Sequence, residues 1–151
     1  MIFAAYRSGL YNVLLLGHIV ALVVAFAPAV IHPIVSNQTQ ADGEPVASTV
    51  AAHLASNTRR VHFPALVVTG LFGLGLVFTS DEVWDFGQAW VSLALLVWLA
   101  LCGVVSGLIG PAERRLGAGD ASANRQVQMG GQIATVLLLV MLYLMIWKPG
   151  A

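Results

Sequence analysis

Residues Leu10–Ile31 read LYNVLLLGHIVALVVAFAPAVI, a stretch without Asp, Glu, Lys or Arg. About 20 apolar residues in an α-helix cross the ~30 Å hydrocarbon core of a bilayer, so this stretch predicts a transmembrane helix. Three further stretches have the same character, and they are Val61–Thr79, Phe86–Ile109 and Gln128–Trp147. Backbone groups in lipid must be satisfied within each segment, which excludes open strands. The chain is therefore predicted to be an all-α, polytopic membrane protein whose four transmembrane helices form an antiparallel bundle.

The composition of the whole chain fits this fold class. Of the 151 residues, 58% are hydrophobic and 9% are charged, whereas a soluble domain carries about 25% charged residues. The length predicts one domain, 1–151. Lys plus Arg and Asp plus Glu number seven each, so no excess charge points to nucleic acid, and the lipid bilayer is the expected surrounding partner. The single cysteine, Cys102, excludes a disulfide within the chain and a cysteine-based zinc site.

The positions of Lys and Arg predict how the spans are oriented. Only Arg7 and Lys148 lie on one side, and the five arginines of the two long loops on the other are Arg59, Arg60, Arg114, Arg115 and Arg125. The positive-inside bias then places the long loops in the cytoplasm of a bacterial inner membrane, with the N- and C-termini outside. Aromatic residues at the outer ends fit a headgroup-level belt, and they are Tyr6, Tyr11, Trp84, Trp90, Tyr143 and Trp147.

The start of the chain also has features of a signal peptide. Arg7 precedes an apolar run that reaches the small-residue sequence AFA at 25–27. Pro28 would follow the cut directly, which disfavours processing, and the apolar run continues to Ile31. We therefore expect this segment to be retained as the first span.

The long loop after the first span contains a second helical pattern. Apolar residues recur at helical spacing between Val46 and Val61, after a turn at 42–45. Such a segment either lies on the inner membrane surface or extends the second span into the cytoplasm as one long helix. In the other long loop, Gly110-Pro111 is predicted to end the third span.

Small residues predict helix contacts, because helices in lipid associate by close packing rather than through a hydrophobic driving force. The first span carries such a stripe at four-residue spacing, and it consists of Gly17, Ala21, Ala25 and Ala29. The third span carries Gly103 and Gly107 at the same spacing. We expect both sets to lie at helix contacts within the bundle, in preference to a homodimer interface.

His18 is the main candidate functional residue inside the membrane. It follows Leu10 by eight residues, which places it about 12 Å deep at 1.5 Å per residue, near the bilayer centre. An ionisable residue at this depth indicates a functional site. The position also suits a neutral, inward-facing imidazole that bonds a backbone carbonyl, a Ser or Thr hydroxyl, or the indole of Trp98.

A second candidate site combines His32 and His62, which are predicted to lie at the inner ends of adjacent spans. Arg59 and Arg60 are near enough in sequence to meet haem propionates or a phosphate. Haem is therefore the cofactor to consider here, and contacts with lipid headgroups are the alternative use of these four residues. His18 cannot join His32 on one metal, because 14 residues separate them by about 21 Å along the helix.

Catalytic motifs are absent from the sequence. It contains no Ser/His/Asp signature, Walker loop or dinucleotide fingerprint, and the spans carry no paired carboxylates. The second to fourth spans have no charged residue between their ends, which argues against a pump for a charged substrate. The sequence therefore favours a protein without catalytic activity and leaves an enzyme as the open alternative.

Several short motifs together resemble a known family. They are Leu16-Gly17-His18-Ile19 in the first span, Pro64 and Thr69-Gly70-Leu71 in the second, a Trp at the start of the third, and Gly110-Pro111 followed by Arg114-Arg115. Across nearly its whole length the chain resembles bacterial four-helix membrane proteins grouped as domain of unknown function 2269. That family is distantly similar to the copper-resistance D domain and to HemJ-type protoporphyrinogen oxidases. The HemJ-type proteins pair a span-one His, which His18 would match, with a span-three Lys that Phe86–Ile109 lacks.

Two functions from different classes remain open. In the first, the protein is a non-catalytic accessory subunit or binding module that packs against other membrane proteins in a larger complex. In the second, it handles haem or another porphyrin, a quinone, or copper through His18 or through the His32/His62 pair.

Overall fold

The structure is a computed structural model that describes residues 8–40 and 44–150, with the side chains of 8–29, 31 and 49–150. Every element in these residues is helical. The α-helices in chain order are α1 (Gly9–Gln40), α2 (Glu44–Asn57), α3 (Phe63–Phe78), α4 (Ala89–Val104), α5 (Gly110–Gly117) and α6 (Asn124–Trp147). A first π-helix (Thr58–His62) joins α2 to α3, a second (Val105–Ile109) joins α4 to α5, and a 3-10 turn (Ala121–Ala123) precedes α6. The predicted all-α fold is confirmed.

Four helical stretches are long and apolar enough to cross a membrane, and they are Gly9–Ala29, Thr49–Phe78, Ala89–Gly117 and Ala121–Trp147. Large apolar side chains such as Leu96 and Leu139 are about 60% exposed on them, a surface that lipid rather than water covers. The chain is therefore a multi-pass membrane protein, and each of these four stretches overlaps one of the spans that the sequence predicts.

The long loops extend the spans instead of interrupting them. Residues 44–78 form one continuous helical run of about 50 Å, well beyond the ~30 Å hydrocarbon core, so this segment extends the second span as one long helix. The prediction that Gly110-Pro111 ends the third span is wrong, because the helix continues from α4 through the second π-helix into α5, whose first turn contains Pro111. α2 and α5 pack together so closely that a Cβ on Gly117 would lie 2.9 Å from the Cα of Ala52.

Both π-helices precede a proline by one residue. The N–H of Phe63 bonds the carbonyl of Thr58 before Pro64, and the N–H of Gly110 bonds the carbonyl of Val105 before Pro111. Proline removes a backbone donor and clashes with the preceding turn, and a widened turn is one way for a helix to absorb this without breaking.

The spans associate as two pairs. α1 packs along α3, and α4 packs along α6, whereas α3 and α4 approach each other closely at few positions although they are consecutive. We call the end of the bundle that carries Trp84, Trp90 and Trp147 the tryptophan end, and the opposite end, where α2 packs on α5, the arginine end. A cleft separates the two pairs between these ends.

The small residues of α1 differ in what they contact. A Cβ on Gly17 would lie 2.8 Å from the ring of Phe72 in α3, and Ala21 is buried. Ala25 is half-buried, and Ala29 is exposed. The stripe thus packs against the neighbouring helix only over its first half.

The prediction that Gly103 and Gly107 lie at a helix contact within the bundle is wrong for the described residues. Both are exposed, and a Cβ built on either would meet nothing within 4 Å. The close glycine contact of this region is instead made by Gly130 of α6, where a Cβ would lie 2.6 Å from Ile109. The face of the third span that α6 covers is therefore not the face that carries Gly103 and Gly107.

The turn between α5 and α6 is fixed by one acid. Asp120 accepts hydrogen bonds from the backbone and hydroxyl of Ser122, and its carboxylate lies 2.7 Å from the guanidinium of Arg115. The bonds from Ser122, and then those from Arg115, hold the pKa of this exposed carboxyl below its usual value.

Candidate ligand-binding cleft

His18 points from α1 to the backbone of α3. Its Nδ1 lies 2.8 Å from the carbonyl oxygen of Thr69. A carbonyl can only accept, so Nδ1 carries the proton. A charged imidazole is costly inside an apolar span, so we expect the neutral ring, in which Nε2 keeps a lone pair. The imidazole is therefore a neutral acceptor whose orientation is fixed by α3.

Trp98 also bonds a backbone carbonyl of α3, which it reaches from α4. Its Nε1 donates to the carbonyl of Leu66 at 2.9 Å. Of the partners predicted for His18, the structure has the backbone carbonyl, and Trp98 bonds a separate carbonyl of its own. Leu66 and Thr69 are three residues apart, so the two carbonyls lie on one face of α3.

Two glycines make these carbonyls accessible. Gly70 and Gly73 follow Leu66 and Thr69 by four residues, and helical side chains lean toward the N-terminus, over the preceding turn. A Cβ on Gly70 would lie 2.0 Å from the ring of Trp98, and a Cβ on Gly73 would lie 3.2 Å from the ring of His18. The glycines thus let the rings reach carbonyls that any other side chain would cover, a pattern that sequence reasoning could have found.

A cavity of about 320 Å³ lies between the two helix pairs and includes His18 in its wall. The wall is mostly apolar, and its other members include Leu66, Ala94 and Met141. The hydroxyl of Thr69 and the indole N–H of Trp98 are already bonded to backbone carbonyls. The volume is at the lower end of what small-molecule sites require. We call this cavity the central cleft.

A cation and two tryptophans close the central cleft at the tryptophan end. Trp84 and Trp90 meet edge to face with ring centroids 5.2 Å apart, and Nζ of Lys148 lies 4.1 Å from the Trp84 centroid. Val77 packs against this cluster and follows Thr69 by eight residues, so the cluster lies about 12 Å from the level of His18. The sequence indicates Lys148 only as a charge at the membrane boundary, and its position in the cleft is seen only in the structure.

His62 of the first π-helix bonds a backbone carbonyl of α1. Its Nδ1 lies 2.8 Å from the carbonyl oxygen of Val24 in α1. The residue four positions after Val24 is Pro28, which has no N–H to offer that carbonyl. His62 therefore supplies, from another helix, the donor that the proline removes.

The other predicted site residues do not form a shared site among the described residues. The side chain of His32 lies outside the described part of the chain, so its predicted pairing with His62 stays a prediction. Arg59 and Arg60 are both exposed, and only Arg59 lines a cavity. Across the described residues, no three His, Cys, Asp or Glu side chains converge as metal ligands would.

The role of His62 can be tested with a double-mutant cycle. His62→Ala should lower the free energy of unfolding by about 1 kcal/mol, because the Val24 carbonyl loses its donor. In a Pro28→Ala background the new N–H bonds that carbonyl, so His62→Ala should cost clearly less. Thermal unfolding in detergent micelles measures both, with the exposed His53 as the control site for an alanine substitution. Strictly additive effects would show that the two residues are not coupled.

Comparison with known proteins gives no match to any family model, to any curated protein or to any solved structure.

Proposed function

We propose that this protein is a non-catalytic membrane binding module that holds a lipid-soluble, hydroxyl-bearing ligand, such as a quinol, in its central cleft. The observation that carries the proposal is His18, which lines this apolar cavity with Nδ1 committed to Thr69 and Nε2 left as an acceptor. Ligand sites are mostly apolar concave surfaces with a few oriented polar groups, and the cleft fits that description.

The tautomer of His18 decides which ligands suit the cleft. A neutral Nε2 accepts a hydrogen bond from an O–H but cannot donate one to a carbonyl. A quinol, which carries hydroxyls, therefore matches the site, whereas the oxidised quinone offers only acceptors. The same lone pair would be able to bind a haem iron, which makes haem the alternative ligand.

The ends of the cleft favour an elongated ligand. Apolar walls surround His18, and the cationic Lys148 lies about 12 Å away at the tryptophan end. A ligand with an apolar body can place its hydroxyl at His18 and a second polar group beside Lys148. The rings of Trp84, Trp90 and Trp98 border the cleft, so their fluorescence reports on occupancy.

The experiment that tests the proposal compares the two redox forms of one ligand. Purified protein in detergent micelles is titrated anaerobically with a short-chain quinol and, separately, with its quinone, and tryptophan fluorescence gives the apparent Kd. We expect the quinol to bind about tenfold more tightly, because only it satisfies Nε2. Equal affinities, or no binding of either form, would refute the proposal. A Soret band in the purified protein would identify haem instead.

Assembly with other membrane proteins, as an accessory subunit of a larger complex, is a second proposal. The exposed Gly103 and Gly107 support it, since small residues at four-residue spacing permit close approach of a further helix. Native electrophoresis of solubilised membranes tests it: a band at the mass of one chain plus detergent would speak against a complex.

The location and orientation are also proposed. The five arginines of the arginine end support placing that end in the cytoplasm of a bacterial inner membrane, with both termini outside. Reporter fusions after Asn124 and at the C-terminus should report cytoplasm and periplasm respectively, and the reverse pattern would invert the assignment. Membership of the family of domain of unknown function 2269 is proposed on the quoted motifs alone.

A further inference from the structure

A second cavity, of about 470 Å³, lies at the arginine end between the two π-helices. The first π-helix contributes Thr58 and Arg59 to its wall, and the second contributes Ser106. Ser56 of α2 and Arg114 of α5 complete the polar part of the lining. We call this cavity the arginine cleft. It shares no lining residue with the central cleft.

Thr58 is the unusual member of this wall. Its side chain is 5% exposed, and its Oγ1 has no hydrogen-bond partner among the described residues. Three other threonines, two within helices and one directly after the end of α3, bond the carbonyl four residues earlier, and they are Thr69, Thr135 and Thr79. A buried hydroxyl without a partner is costly, and Thr58 is a residue of the cavity wall, so a ligand that Oγ1 reaches by rotation of the side chain would satisfy it.

The positive charges of the two arginines in the arginine cleft are not neutralised by a carboxylate of the described residues. Arg59 and Arg114 are exposed, and neither forms an ion pair within the described part of the chain, where Arg115 is the one that pairs with Asp120. Glu113 is buried next to Arg114 in sequence but does not line the cleft. The lining is therefore cationic, without a carboxylate facing the space.

We propose that the arginine cleft binds a phosphate group, either the headgroup phosphate of an anionic lipid or inorganic phosphate. Guanidinium groups on two helices supply charge and paired N–H donors, and the Thr58 hydroxyl supplies a third donor from the buried side. The cleft lies toward the arginine end of the apolar spans, where we expect the headgroup phosphates of a bilayer. Basic pockets between transmembrane helices are established places for anionic headgroups.

The test uses the protein in neutral detergent micelles with three probes: phosphatidylglycerol, phosphatidylcholine and inorganic phosphate. Thermal unfolding at increasing probe concentration gives an apparent affinity. We expect phosphatidylglycerol to raise the midpoint, and Arg59→Gln and Arg114→Gln each to weaken its affinity about tenfold. Arg60→Gln is the matched control, because Arg60 is the next residue, carries the same charge and does not line the cleft.

The outcomes separate the two sources of phosphate. Stabilisation by phosphatidylglycerol alone identifies a lipid headgroup, and equal stabilisation by inorganic phosphate identifies the free anion. Thr58→Val keeps the side-chain shape and should still fold, and it should weaken binding about tenfold through the lost donor. The proposal is overturned if Arg60→Gln is as damaging as Arg59→Gln, or if no phosphate probe shifts the midpoint.

Discussion

Gly70→Ala should lower the free energy of unfolding by about 2–4 kcal/mol, a large effect for the addition of one methyl group. The new Cβ would lie 2.0 Å from the indole of Trp98, so the ring must leave its position. Its bond to the Leu66 carbonyl breaks with that movement, and a buried N–H loses its acceptor. Thermal unfolding in detergent micelles, followed by tryptophan fluorescence, measures the loss.

Gly103→Ala is the matched control for this effect. It adds the same methyl group to a helical glycine, but nothing lies within 4 Å of the new Cβ. Alanine is the better helix former by about 1 kcal/mol, so the control variant should be unchanged or slightly more stable. Adding Trp98→Phe to Gly70→Ala should relieve part of the penalty, because phenylalanine has no N–H that needs the Leu66 carbonyl. Equal behaviour of Gly70→Ala and Gly103→Ala would contradict this account of α3.

His18→Ala should weaken quinol binding in the central cleft at least about tenfold while changing quinone binding little. The reason is that alanine removes the acceptor Nε2, which only the hydroxyl of a quinol uses. The same fluorescence titration measures both affinities. If the bound ligand is haem instead, the variant should lose the Soret band of the wild-type protein.

Two further variants separate ligand binding from structure. His18→Gln retains an amide N–H for the Thr69 carbonyl and an oxygen acceptor for the ligand, so it should recover part of the quinol affinity. His53→Ala removes an exposed histidine outside the cleft and should leave both affinities unchanged. Loss of quinone and quinol binding to the same extent in His18→Ala would indicate a collapsed cleft rather than a lost hydrogen bond.

The four spans were predictable from the sequence because membrane insertion depends mainly on how many apolar residues follow one another. Leu10–Ile31 and the three later stretches meet that requirement whatever their neighbours do. The position of His18 near the middle of the first span followed from counting residues along a helix. Sequence also contained the Pro28 signal for a missing backbone donor, although not the identity of the residue that replaces it.

The tertiary structure alone decided which faces of the helices meet. The spans are apolar on nearly every side, so hydrophobic periodicity does not mark the face that packs, and glycine spacing is an ambiguous guide. Gly103 and Gly107 have the predicted spacing yet are exposed, whereas Gly70 and Gly73 lie against the two rings that border the central cleft. Contacts between helices in lipid depend on the shapes of side chains brought together from distant parts of the chain. For that reason the pairing of His18 with Thr69 and of His62 with Val24, and both clefts, emerged only once the helices were assembled.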